Sequence, residues 1–295
     1  MTPQASGCAP MRLGRLSAMG WRPCGLVLAG LALSPAASAH GAWFSGGAAQ
    51  APVWFAQALF VLAWLAYLRG ALRQPPATWR RATVFHATMG LAGLTLFGPF
   101  DGWAARSSAA HMLQHLLLMG VVAPLAVLAR PLPQWRAALG PMADTVWRGC
   151  ARLSRRPMAC ALLHALAIWT WHAPGPYLAA LSNPGLHVLE HASFLFTGWL
   201  FWWSVLRPGR DAVLQAALAL LFTVTHTGML GALLTFARQP LYAPESRDLW
   251  DQQLAGLLMW IPGGTLYLLA ASWAGYRWLS RPVPAPPVAL PAQRQ

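Results

Sequence analysis

The stretch SAAHMLQHLLLMGVVAPLAVLAR, residues 108–130, decides the fold. From Ser108 to Ala129 it holds no Asp, Glu, Lys or Arg, and Arg130 closes it. A helix crosses the hydrocarbon core with about 20 mostly apolar residues. This stretch is long enough to cross a bilayer. Its two histidines, His111 and His115, stand at the end away from Arg130.

Outward from it, six more apolar stretches reach similar length: 51–69, 82–100, 157–175, 185–206, 212–237 and 252–276. The expected fold is an all-α membrane protein, a bundle of about seven transmembrane helices spanning residues 40–280. Composition agrees, with 57% hydrophobic residues and only 9% charged. A soluble domain carries roughly a quarter charged residues. Seventeen tryptophans suit the membrane interfaces. The net charge of +14 comes from 21 basic residues, all arginine, set between the apolar segments. Membrane topology accounts for them there, so nucleic acid is not an expected partner; the lipid bilayer is.

Residues 1–39 read as a signal segment. Arg12, Arg15 and Arg22 precede an apolar run, and Ala37-Ser38-Ala39 forms a small-x-small cleavage site before His40. An uncleaved anchor is the alternative. Residues 281–295 form a Pro-rich tail, expected to be disordered and cytoplasmic. Cys8 and Cys24 fall in the leader, and Cys150 and Cys160 on the expected inner side. No thiol remains for an outer disulfide or thiolate metal site.

The arginines set the orientation. With the mature N-terminus outside, the inner loops and C-terminal side hold Arg69, Arg73, Arg80, Arg81, Arg130, Arg136, Arg148, Arg152, Arg155, Arg156, Arg207, Arg210, Arg277, Arg281 and Arg294. Only Arg106, Arg238 and Arg247 fall outside. This bias is the positive-inside pattern of an inner-membrane protein with a periplasmic N-terminus and a cytoplasmic C-terminus.

Chemistry concentrates at the outer ends. His111 and His115 open the third span; His187 and His191 open the fifth. Both pairs have i, i+4 spacing, which puts two imidazoles on one helix face. His172 closes the fourth span at the same level, and His226 lies deeper in the sixth. Polar groups within a bilayer are costly and mark functional sites by default. His86 and His164 lack a partner in sequence and read as ordinary interhelical hydrogen bonders. His40, if freed by cleavage, could chelate a metal through its amine and ring.

Glu190 precedes His191 and could accept a ring N–H from an imidazole on another helix. Alternatively it belongs to a polar helix interface. Asp251, Gln252 and Gln253 open the last span, where Asp251 could also be a helix cap. Met112 and Met229 are soft ligand candidates, whereas Met259 reads as core filler. Imidazoles with nearby thioethers and no thiolates suit copper better than magnesium or calcium. Zinc, iron and bis-histidine haem ligation stay open.

The motifs HMLQHLLLMGVVAPL, WTWHAPGPYLAALSNPGLHVLEH, FWWSVL, THTGMLGALLTFARQPLY and DQQLAGLLMWIPGG carry a resemblance. From about Arg81 to Arg277 the chain resembles the CtaG family of bacterial cytochrome c oxidase assembly factors. The resemblance implies a non-enzymatic factor that helps a haem–copper oxidase mature by supplying copper to its subunits. His111, His115, His172, His187, His191, Glu190 and Asp251 match motif positions, and candidacy passes only to those. Rival readings of the same histidines are a di-metal membrane enzyme, a b-type cytochrome and a copper transporter. The inner half offers only His86 and His164, which argues against a transport path.

Overall fold

The computed structural model describes residues 50–209, 212–242 and 248–280. The expected signal segment, His40 and the Pro-rich tail lie outside these described residues. Among the described residues every regular element is helical. Helix α1 spans Ala51–Arg73, α2 Trp79–Phe97, α3 Pro99–Ala104, α4 Ser108–Leu117 and α5 Ala123–Ala129. Then come α6 (Leu132–Leu139), α7 (Pro141–Leu153), α8 (Pro157–His172), α9 (Pro174–Ser182) and α10 (Pro184–Leu206). Helices α11 (Val213–Thr235), α12 (Leu249–Leu258) and α13 (Gly264–Leu279) complete the described residues.

Local chemistry sets the boundaries. Proline stands in the first turn of several helices, including α1, α8, α9 and α10, where its missing N–H costs nothing. Ser107 caps α4 by accepting from the Ala110 N–H at 3.2 Å. Asn183 caps α10, accepting from Gly185 at 2.8 Å and Leu186 at 3.2 Å. Pro174 pushes Ala173 into extended backbone and so ends α8 at His172.

Among the described residues, four helical runs are long and apolar enough to cross a membrane: Ala51–Arg73, Ser108–Ala129, Val213–Thr235 and Leu249–Tyr276. The other three expected spans differ for visible reasons. Helix α2 opens on Arg80 and Arg81, and α8 has only 16 residues. Helix α10 has 23 residues, but His187, Glu190 and His191 lower its hydropathy. Large apolar side chains such as Leu62, Leu166, Leu233 and Leu269 are more than half exposed. Their burial in lipid recovers about 1.5–3 kcal/mol each relative to water. The solvent this surface fits is hydrocarbon.

Two of the membrane-length runs contain a π-helical turn, at Leu118–Val122 and at Met259–Gly263. Proline explains both. Pro124 has no N–H for the Gly120 carbonyl, and Pro262 none for that of Leu258. In the first turn the freed geometry leaves the Met119 carbonyl to accept from Trp202 Nε1 at 2.7 Å, which ties α10 to this run. The turns also lie beside each other's helices. A Cβ on Gly120 would stand 3.3 Å from Leu266 Cδ1, and one on Gly263 would stand 3.1 Å from Leu116 Cδ2.

Small residues allow close crossings, one of them between α11 and α12. A Cβ on Gly231 of α11 would lie 2.9 Å from the Gly256 carbonyl oxygen of α12. One on Gly256 would lie 2.6 Å from the Gly231 carbonyl oxygen. Backbones approach here as in other membrane helix pairs with small interfaces.

Candidate metal centre

The site forms where the first turns of α4 and α10 meet. His111 and His115 lie one helical turn apart and meet edge to face, with ring centroids 4.3 Å apart. His187 and His191 repeat the spacing on α10, also at 4.3 Å. Across the interface the His111 ring lies 5.5 Å from His187 and 6.1 Å from His191. His115 lies 5.3 Å from His191 and 6.3 Å from His172. All are buried except His187, which is half-buried.

Glu190 enters this group from α10, at 1% exposure. Its carboxylate oxygens lie 3.7 Å from His115 Nε2 and 4.0 Å from His111 Nε2. Both distances exceed a hydrogen bond. Glu190 Oε2 and both His115 nitrogens have no hydrogen-bond partner. Buried polar atoms without partners are costly, so such a set demands an occupant or a role. His111, His187, Glu190 and His191 each offer a ligand atom, all within 4.8 Å of one another. Two donors on one ion with bonds of about 2.1 Å lie at most about 4.2 Å apart. Closing the widest pair takes about 0.6 Å, within side-chain reach.

His172 closes one side. Its Nδ1–H donates to the Ile168 carbonyl at 2.8 Å, leaving Nε2 with the lone pair. Its own carbonyl accepts from the Tyr242 hydroxyl at 3.0 Å. Tyr242 in turn stacks on Tyr177 at 3.9 Å, and the Tyr177 ring lies 6.0 Å from His111. The sequence reading passed over both tyrosines. Their signal was there, since Tyr177 lies within the quoted WTWHAPGPY motif and Tyr242 ends another.

The remaining candidates are placed elsewhere. Asp251 accepts from the Ser107 hydroxyl at 2.6 Å, from the Ala109 N–H at 3.2 Å and from the Ser108 N–H. It therefore caps the N-terminus of α4, a neighbouring helix rather than its own. Gln252 accepts from the Leu241 N–H at 2.8 Å and holds the segment that bears Tyr242. Gln253 donates to the Ala237 carbonyl at 3.1 Å. Met112 and Met259 pack in the apolar core cluster with Ile168 and Phe194. Met229 is more than half exposed.

The deeper histidines form separate contacts. His226 packs its ring 4.9 Å from Phe222 and has no hydrogen-bond partner at either nitrogen. His164 shares a 2.9 Å hydrogen bond with the Thr197 hydroxyl. That hydroxyl spends its proton on the Ser193 carbonyl at 2.7 Å, so His164 Nδ1 is the donor. His86 accepts from Trp64 Nε1 at 3.0 Å. Ordinary interhelical bonding thus accounts for the inner pair the sequence set aside. Cys150 and Cys160 are free thiols, away from this cluster.

An apolar helical bundle with a buried imidazole–carboxylate cluster defines a membrane protein with a metal-competent site. Residues 58–281 match the family model for the cytochrome c oxidase caa3 assembly factor, Caa3_CtaG, and the chain belongs to that family. No curated protein and no solved structure matches the chain.

Proposed function

We propose that this assembly factor holds copper at the His111–His187–Glu190–His191 cluster and passes it to a subunit of a haem–copper oxidase. The supporting observation is the convergence of four ligand atoms within 4.8 Å at one end of the bundle. Imidazole nitrogens without thiolates favour copper among the divalent first-row metals. His115 and His172 stand beside the cluster as further ligands for a moving ion. Neutral imidazoles and one carboxylate give exchangeable coordination, which suits hand-off better than a closed thiolate site. The role is non-enzymatic: the ion is cargo.

The orientation follows from the arginines. With α2, α8 and α10 counted as crossings, seven spans put the cluster at the periplasmic face and the Arg-rich ends in the cytoplasm. That face is where an oxidase subunit with an outward copper centre would receive the ion. The test pairs copper analysis of purified protein with oxidase activity in a deletion strain. The reading expects bound copper in the wild type, its loss in His111→Ala, and a copper-deficient oxidase without the gene. Normal oxidase activity and spectra in the deletion strain would sink it.

A further inference from the structure

The opposite end of the same two helical runs carries a second, basic site. The run Ser108–Ala129, which carries His111, is followed by Arg130, and α10, which carries His191, is followed by Arg207. Sixteen residues of helix separate His191 from Arg207, about 24 Å at 1.5 Å per residue. The two sites are therefore independent.

A cavity of about 190 Å³ opens between these ends, lined by Arg130, Arg207, Trp135, Trp147, Trp199 and Trp203 among others. Trp147, Trp199 and Trp203 form a connected aromatic wall. Trp147 stacks on Trp203 at 4.4 Å, and Trp199 lies 5.1 Å from Trp203 and 5.7 Å from Trp147. Arg207 is half-buried and uses one N–H on the Val127 carbonyl at 2.6 Å. A guanidinium has five N–H donors, so most of its capacity stays unused by that bond. Arg130 is held in left-handed backbone at φ 52°, an uncommon state for a side-chain-bearing residue. Arg81 adds a third positive charge acting on Arg207. Among the described residues no carboxylate pairs with any of the three; Asp144 is taken by Arg136 at 2.5 Å.

Three cations gathered without an anion, beside an aromatic slot at a bilayer interface, call for an anion with an apolar body. We propose that this cavity binds the phosphate of an anionic phospholipid head group, with Arg130 and Arg207 on the phosphate and the tryptophan wall along the glycerol and upper acyl chain. Guanidinium forks match phosphate oxygens, and basic pockets between transmembrane helices are suited to anionic head groups. Free phosphate shares the same chemistry but gains nothing from the tryptophans.

The test uses full-length protein in detergent, as wild type and as Arg207→Gln, Arg130→Gln and Arg106→Gln. Each is titrated with phosphatidylglycerol, diacylglycerol and inorganic phosphate, and bound ligand is read by native mass spectrometry. Wild type is expected to retain one phosphatidylglycerol and no diacylglycerol. Retention falls at least tenfold in Arg207→Gln and in Arg130→Gln, and is unchanged in Arg106→Gln, an exposed arginine far from the cavity. Arg130 is exposed, so its variant folds even if Arg207→Gln does not. Inorganic phosphate that displaces the lipid with the same arginine dependence assigns the site to a soluble phosphate. Equal lipid retention by wild type and Arg130→Gln, or equal binding of diacylglycerol, overturns the proposal.

Discussion

The Ser107 hydroxyl donates to the Asp251 carboxylate at 2.6 Å, linking the start of the last membrane-length run to the start of the helix that carries His111 and His115. The same carboxylate accepts two N–H groups from the first turn of α4. An anion at a helix N-terminus satisfies orphan donors and complements the helix dipole. Asp251 therefore fixes where the His111 end of α4 stands relative to α12.

Asp251→Ala should lower stability by about 2 kcal/mol, the scale of a lost charged cap. Thermal unfolding in detergent measures this. Copper affinity should fall as well, because α4 loses its anchor while keeping every ligand. Unchanged copper affinity with lowered stability would separate the cap from the site.

The deeper His226 is predicted to be dispensable for copper. His191→Ala should reduce copper affinity at least tenfold, the scale seen when a ligand or its immediate support is removed. His226→Ala and His86→Ala should retain it, since neither ring reaches the cluster. Competition with a chromophoric chelator gives the three affinities. Copper loss in His226→Ala would move the site inward.

Glu190→Gln keeps the shape but removes a carboxyl oxygen, and with it an anionic ligand, next to His115 and His111. Copper should bind more weakly in this variant, again by tenfold or more. Electron paramagnetic resonance of the cupric form should change if the carboxylate is a ligand. Identical spectra and affinity would leave Glu190 as part of a polar interface.

Tyr242 braces the His172 carbonyl and stacks on Tyr177 beside the cluster. Tyr242→Phe removes one hydrogen bond, worth about 1 kcal/mol, and keeps the stack. Tyr242→Ala removes both. Copper release to a chelator should quicken slightly in the first variant and strongly in the second, as followed by stopped-flow absorbance. Equal rates in all three would free the tyrosines of any gating role.

Gly231→Ala and Gly256→Ala each place a methyl group within 3 Å of backbone across the α11–α12 crossing. The helices must separate, and overpacking of this kind costs about 1–3 kcal/mol or more. A lower unfolding temperature is expected for both. Gly264→Ala meets nothing within 4 Å and should leave it unchanged.

Much of this was legible in the residues themselves. Apolar length gave the helices, and i, i+4 spacing gave the two imidazole pairs. Pro124 and Pro262 are visible in the sequence, yet the π turns they create were not read from it. A missing N–H has several structural remedies, and packing selects one. Asp251 illustrates the other limit. A carboxylate near a helix start is a plain cap signal, but the helix it caps lies 143 residues away at Ser108.

Residue order was enough for an apolar helical protein, its family, the histidines at one end of its helices and the arginines at the other. Those properties reside in single segments, where 3.6-residue periodicity and residue chemistry act locally. Packing between segments brings the histidines of α4 and α10 together with Glu190, leaves His226 against Phe222, and encloses a cavity with arginines and tryptophans. The rotation of each helix about its axis is set by side-chain packing, close glycine crossings and interhelical hydrogen bonds, none of which is a property of one segment.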